Sequence, residues 1–223
     1  LDEPSTGLHP QDVVGLLTIF DRLVRLGATI VVVEHNTDIM RAADWLVDLG
    51  PGAGPAGGHL LYAGEPEGLP AVAASVTGQA LREERRLQPN ARTVTLAEQQ
   101  ATYNRADAIV IQGARAHNLK EVSVAIPKGA LTVVTGLSGS GKSSLVHDVL
   151  EAEARRRYLE TLSLYERQST QEGPEAAVDK ISGLGVALSV GSERRFYQRR
   201  ATVGVATEIA HHLAVLLSTQ GER

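Results

Sequence analysis

The sequence contains no cysteine, which excludes disulfide bridges and thiolate metal ligands from these 223 residues and leaves the redox compartment open. No apolar run approaches the roughly 18 residues that a membrane-spanning helix needs. No signal-peptide pattern opens the chain, so a cytoplasmic protein without a membrane partner is expected. An excess of positive charge is also missing: the formal net charge is −4, and any case for nucleic acid has to rest on a local patch. The chain is 43% hydrophobic and 22% charged, an ordinary globular balance. Its length suits one large domain or two small ones.

What is present begins with Gly136-Leu137-Ser138-Gly139-Ser140-Gly141-Lys142-Ser143-Ser144. An apolar β-type run, Leu131 to Thr135, precedes it, and an amphipathic helical pattern follows towards Tyr158. Strand, GxxxxGKS, helix is the order a phosphate-binding loop requires. The glycines let backbone N–H groups turn inward, and the helix N-terminus adds partial positive charge. Lys142 can reach β- and γ-phosphates, and the Ser143 hydroxyl can ligate Mg²⁺. The loop is therefore expected to bind a nucleoside triphosphate through Gly136, Ser138, Gly139, Ser140, Gly141, Lys142, Ser143 and Ser144.

A second chemical segment stands at the other end. Leu1-Asp2-Glu3-Pro4 reads as the last residue of a buried strand followed by carboxylates, with the strand itself missing. This predicts a fragment cut inside a domain. Asp2 would hold Mg²⁺, usually through a water, and Glu3 would polarise an attacking water. A solvated turn before Pro4 is the plainer alternative. From Pro10, apolar residues at Val13, Leu16, Leu17, Phe20, Leu23 and Val24 mark one helical face, stopped at Gly27. Ala28 to Val33 then reads as a fully buried parallel strand ending in Glu34-His35. His35 lies where α/β folds place ligands, although a bond to a loop carbonyl would serve equally well.

Asn36 or Thr37 caps a short helix through Ala43, Trp45 to Leu49 is a strand, and 50–58 is a glycine–proline loop too breaker-rich for regular structure. His59 to Ala63 is a strand closed by a turn at Gly64-Glu65-Pro66. Residues 67–106 show no sustained period; the charged Leu81 to Leu87 reads as a solvated helix or linker, and 80–105 is read as the connection between two units. The second unit opens with the strand Ala108 to Ile111 and an antiparallel edge strand, Val122 to Ile126. Arg155, Arg156 and Arg157 favour the C-terminal end of the helix after the loop. The clustered Arg194, Arg195, Arg199 and Arg200 could face DNA phosphates or simply solvent.

Several of these segments together resemble the UvrA family, the A subunit of the bacterial UvrABC excinuclease. They are Leu1 to His9, Val33-Glu34-His35, Ala43 to Pro51 with its glycine run, Gly113 to Lys120 (with His117-Asn118-Leu119-Lys120), the phosphate loop, and Leu162 to Gln168. The resemblance implies an ABC-type ATPase that recognises damaged DNA in nucleotide excision repair. ATP and Mg²⁺ would be its cofactors, with damaged duplex DNA, a UvrB-like subunit and a second ABC-type copy as partners. It implies Lys142 and Ser143 as Walker A contacts, Asp2 as the Walker B aspartate and Glu3 as the catalytic glutamate. Ser5 to His9 would form the D-loop, His35 would be the switch histidine, and Gln168 the Q-loop glutamine at the metal. A UvrA-like paralogue in drug tolerance and a transporter-energising ABC ATPase are the alternatives.

Order is the departure. In such a cassette Walker A precedes Walker B, whereas here it follows, and no Leu-Ser-Gly-Gly signature occurs. The expected fold is α/β: ABC-ATPase cassette halves with a mostly parallel sheet flanked by helices and an antiparallel edge subdomain. Residues 1–79 would be the C-terminal half of one cassette and 106–223 the N-terminal half of the next. If the segment folds alone, the halves could instead pair as a circularly permuted cassette, which would bring Asp2 close to Ser143.

Overall fold

A computed structural model of the chain describes residues 1–87, 107–161 and 175–190, all within one compact unit, Leu1–Gly191. The expected Gln168, the segment 162–168, the arginines at 194–200 and the helix-like 205–217 lie outside the described residues.

The first helix, α1 (Pro10–Arg25), starts where proline at N1 and the His9 cap place it: His9 Nδ1 accepts from Gln11 N, and Asp12 Oδ2 accepts from His9 N. Its buried face is Val13, Leu17 and Phe20, while Leu23, expected on that face, is 41% exposed. Strand β1 (Ile30–Val33) follows, then α2 (Thr37–Ala42), capped by Asn36, whose side-chain Oδ1 accepts from the N–H groups of Asp38 and Ile39. Strands β2 (Trp45–Gly50) and β3 (His59–Gly64) flank the glycine loop, which contains one short 3₁₀ turn, Gly54–Ala56. A second 3₁₀ segment, Pro66–Ala71, leads to α3 (Val76–Leu87). Residues 80–87 thus continue a helix. It buries Leu81 and is tied by Arg41 to Glu84 at 2.9 Å.

After the undescribed 88–106 come β4 (Ala108–Ala114), β5 (Val122–Pro127) and β6 (Leu131–Gly136). A π-helical segment, Ser144–Glu151, runs into α4 (Ala152–Thr161), and β7 (Lys180–Ser182) closes the described chain.

The main sheet has the order β1-β6-β2-β3. Strand β6 pairs in parallel with β1 on one side (Ile30 with Leu131 to Val33 with Val134) and with β2 on the other (Trp45 with Thr132 to Leu49 with Gly136). Strand β3 is the antiparallel edge beside β2. Residues from both sides of 88–106 therefore build one sheet. Asp44 Oδ2 accepts from Leu131 N at 2.7 Å and Thr29 Oγ1 accepts from Gly129 N at 2.9 Å, adding polar stitches between them. A second sheet, β5-β4-β7, is antiparallel.

Side chains alternate across the main sheet with the two-residue strand period. Val32, Leu46 and Val133 pack with α1 and α2, while Val33, Val47 and Val134 pack with β4, β5 and the helical segment Ser144–Glu151. The protein is thus a mixed α/β unit: helices, a mostly parallel sheet, then an antiparallel sheet. No helix among the described residues is long and apolar enough to cross a membrane.

Candidate phosphate-binding site

Three parallel strands end at the same edge of the main sheet, the position at which α/β folds gather ligands. Strand β1 delivers Glu34-His35, β2 delivers the glycine loop, and β6 delivers the phosphate-loop sequence. Residues 1–3 lie beside β1: Val33 N donates to Leu1 O and Glu3 N donates to Val33 O, each at 2.9 Å, with Asp2 bridged in parallel to Val33. This adds the two carboxylates to the same edge.

The loop leaves β6 at Gly136, whose φ of 132° and contact with Leu49 O demand glycine; a Cβ there would meet that oxygen at 2.1 Å. Ser140 N donates to Leu137 O at 3.1 Å, and Leu145 N donates to Gly141 O at 2.9 Å to begin the helix. Lys142 is 6% exposed, and its Nζ donates to the carbonyls of Gly136 (3.0 Å) and Leu137 (2.9 Å). Burial lowers the Lys142 pKa, while the carboxylates of Glu3, Asp2 and Asp48 act in the opposite sense. Ser138, Gly139 and Ser143 are exposed and Ser144 is half-buried, whereas Ser140 is buried with no partner for its hydroxyl among the described residues.

Asp2 does not stand alone. Its Oδ2 lies 3.2 Å from His147 Nε2, and His147 Nδ1 lies 2.6 Å from Glu151 Oε2. Burial lowers the His147 pKa, but the hydrogen bonds to Glu151 and Asp2 outweigh it and hold the value above the ordinary one. On the other side, His35 Nε2 is 3.6 Å from Glu3 Oε1. Beneath them Glu34, 2% exposed, accepts from the backbone N–H groups of Ser5, His35 and Asn36 at 2.8, 2.8 and 3.1 Å. One buried carboxylate thereby fixes both loops that carry Glu3 and His35. Asp48, 1% exposed on β2, has its pKa raised by burial, against the hydrogen bonds of Ser75 and Thr77.

The structure thus gathers the Asp2, Glu3, His35 and Lys142 expectations at one sheet edge. Glu34, Asp48, His147 and Glu151 were missed. The sequence signal for Glu34 was its place beside His35; His147 and Glu151 show i,i+4 spacing on the helix after the loop.

These residues fit a nucleotide with Mg²⁺. The loop glycines lie so close to Leu49, Ala53, Leu119 and Asn118 that side chains would not fit, the Ser140 hydroxyl is buried without a partner among the described residues, and the buried Lys142 ammonium feels the charges of Glu3, Asp2 and Asp48. Ser143, Asp2 and Glu3 are hard oxygen donors. No group of three or more His, Cys, Asp or Glu side chains able to hold a metal occurs among the described residues.

A mixed α/β protein with a strand–glycine loop–helix unit at the carboxyl edge of a mostly parallel sheet is the class so defined. No family model matches the chain. UvrABC system protein A from Thermus thermophilus is 42% identical over 190 residues, covering 85% of this chain and 18% of that protein. The same protein from Deinococcus radiodurans is 40% identical over 182 residues, 80% of this chain and 17% of the relative. The crystal structure of UvrA2 from Deinococcus radiodurans shares 44% identity over 69% of this chain and 18% of that one, with a TM-score of 0.37. The chain is a homologue of a segment of UvrABC system protein A, and it spans under one fifth of the length of these relatives.

Proposed function

We propose that this chain binds Mg-ATP at Gly136–Ser144 and forms an ATPase cassette core of a UvrA-like protein that recognises DNA damage. The observation that carries this is the insertion of β6 between β1 and β2, which brings the phosphate-loop sequence to the sheet edge that carries Asp2, Glu3 and His35. The loop N–H groups and Lys142 would neutralise the phosphates. Bound Mg²⁺ would supply charge neutralisation at the β- and γ-phosphates, with Ser143 and Asp2 holding its shell. Glu3 would accept the proton of an attacking water, and His35, 3.6 Å from Glu3, would steady that carboxylate beside the terminal phosphate. Gln168 keeps its proposed role at the metal.

Both halves of the site come from one chain in reversed order, so the cassette core is read as circularly permuted. Hydrolysis would still need the signature segment of an opposing cassette, and the chain alone should turn ATP over poorly. DNA, a UvrB-like subunit and an ABC-type second copy are the partners proposed for the whole protein, and similarity to UvrABC system protein A favours these over a transporter role.

Titration calorimetry with Mg-ATP tests the site. Lys142→Ala should lower affinity at least about a hundredfold, as loss of a buried charge-assisted contact implies. Unchanged affinity would overturn the assignment. Stimulation of ATPase activity by damaged duplex in the full-length protein tests the repair context.

A further inference from the structure

The glycine loop after β2 is the family-like segment to which the nucleotide reading gives no task. It is hydrogen-bonded directly to the phosphate loop. Gly54 N donates to Gly139 O and Gly58 N donates to Ser140 O, both at 2.9 Å. Asn118, from the His-Asn-Leu-Lys segment, joins them: its Nδ2 donates to Gly139 O at 2.9 Å and to Gly54 O at 3.1 Å. Two carbonyls facing one side-chain group require its NH₂ end, which fixes the amide orientation. Lys120 N closes the frame by donating to Gly58 O at 2.8 Å.

The packing allows little slack. A Cβ on Gly58 would lie 1.8 Å from Asn118 O, and one on Gly57 would lie 2.5 Å from Gly52 O and 3.1 Å from Ser140 Cα. A Cβ on Gly141 would meet Leu119 Cδ2 at 2.8 Å and Asn118 Oδ1 at 3.2 Å.

These bonds have a directional consequence. A trans peptide points its C=O and N–H to opposite sides. Holding the Ser140 carbonyl towards Gly58 therefore turns the Gly141 N–H away from the glycine loop. Holding the Gly139 carbonyl with two donors uses both of its lone pairs and stops that peptide from flipping. A loop rich in glycine would otherwise sample many such flips and lose affinity to the entropy of ordering.

We propose that residues 52–58 and Asn118 are positioning elements that lock the peptides of the phosphate loop in their anion-binding orientation before the nucleotide arrives. This rests on the nucleotide reading above and names what makes that site rigid.

Asn118→Asp keeps the shape of the side chain and removes the donor but also adds a negative charge beside the loop, so the uncharged Asn118→Ala must show the loss as well. Mg-ATP and Mg-ADP affinities should fall about tenfold, the worth of a half-buried hydrogen-bond donor lost from two carbonyls. The melting temperature of the nucleotide-free protein should fall by a few degrees at most in a variant that folds, while its upward shift on adding Mg-ADP shrinks. Asn118→Ala serves as the second variant should the new carboxylate unfold the protein, with the same tenfold loss expected. Parental nucleotide affinity in either folded variant, alongside loss of binding in Lys142→Ala, would overturn the frame and leave the nucleotide site standing. Parental binding in Lys142→Ala itself would remove the site and the frame together.

Discussion

Residues 1–87 and residues 107–161 contribute unlike parts to one structure. The first region supplies β1, β2 and β3 together with the acidic side of the site, Asp2, Glu3 and Glu34. The second supplies β6, the phosphate loop and the helix that carries His147 and Glu151. Strands β1 and β2 do not touch each other in the sheet order, so without β6 the first region has a gap one strand wide. Strand β6, in turn, is buried along its whole length and has both its partners in the first region. Each region lacks what the other holds, in backbone hydrogen bonds and in charge alike. An apolar strand buried on both faces reports that it is central; it says nothing about which neighbours it takes.

The severest way to break this comparison is a charge in β6. Val133 is fully buried between β1 and β2 on the face packed by α1 and α2. Val133→Asp places an unpaired carboxylate there and should cost about 4 kcal/mol or more. If the two regions depend on each other, amide hydrogen exchange in β1 and β2 will lose protection along with β6. Retained protection in β1 and β2 would show that residues 1–87 hold their own sheet.

Less severe is a test of the division of labour at the site. Asp2 is read as an outer contact of Mg²⁺, braced by His147 at 3.2 Å. Asp2→Asn should weaken Mg²⁺-dependent ATP affinity about tenfold, as is usual for groups that orient a metal shell. Binding measured with excess chelator should barely change, because the phosphate loop belongs to the other region. Equal losses with and without Mg²⁺ would mean that Asp2 supports the fold of the site and not the metal.

Much of this was legible in sequence. The runs Leu131 to Thr135 and Ala28 to Val33 were readable as strands because β-branched residues fill both faces, and the face of α1 followed from its period. Pairing of the strands was not readable, because uniform apolar runs carry no register. Helix α3 was only half legible: the charged run Leu81 to Leu87 reads equally as a solvated helix or a linker. The helix inserts Leu81 into the core but is otherwise strongly polar and held largely by polar contacts, Arg41 to Glu84, Thr37 to Glu84 and Arg82 to the Pro70 carbonyl, so its few apolar residues do not stand out as a core face. Strand β7 is three residues long, too short to show alternation. At the site, residue types gave Asp2, Glu3, His35 and Lys142. Asn118 bonds backbone carbonyls 64 and 21 positions away, and His147 meets Asp2 across 145, so their roles exist only in the folded chain.

The mildest test lies wholly inside the second region and asks how local an effect can be there. Glu153 on α4 is 8% exposed and accepts from Arg156 Nε (2.8 Å), Arg156 Nη2 (3.0 Å) and Arg157 Nε (2.8 Å). Arg157 in turn donates to the carbonyls of Leu184 and Ile181, tying α4 to β7. The Arg156 hydrogen bonds lead in lowering the Glu153 pKa from 4.5 to about 2, with Arg157 adding to the shift and burial opposing it. The folded state thus binds fewer protons than the unfolded state between these values. The stabilisation is complete above pH 4.5 and is lost as pH falls towards about 2. Because Arg156 and Arg157 are 43% and 33% exposed, solvent screening trims the effect to about 1 kcal/mol. Glu153→Gln should abolish that acid-limb slope in urea unfolding curves while leaving Mg-ATP affinity at neutral pH unchanged. Affinity lost together with the slope would show that α4 transmits strain to the phosphate loop, and that the second region is less modular than its contacts suggest.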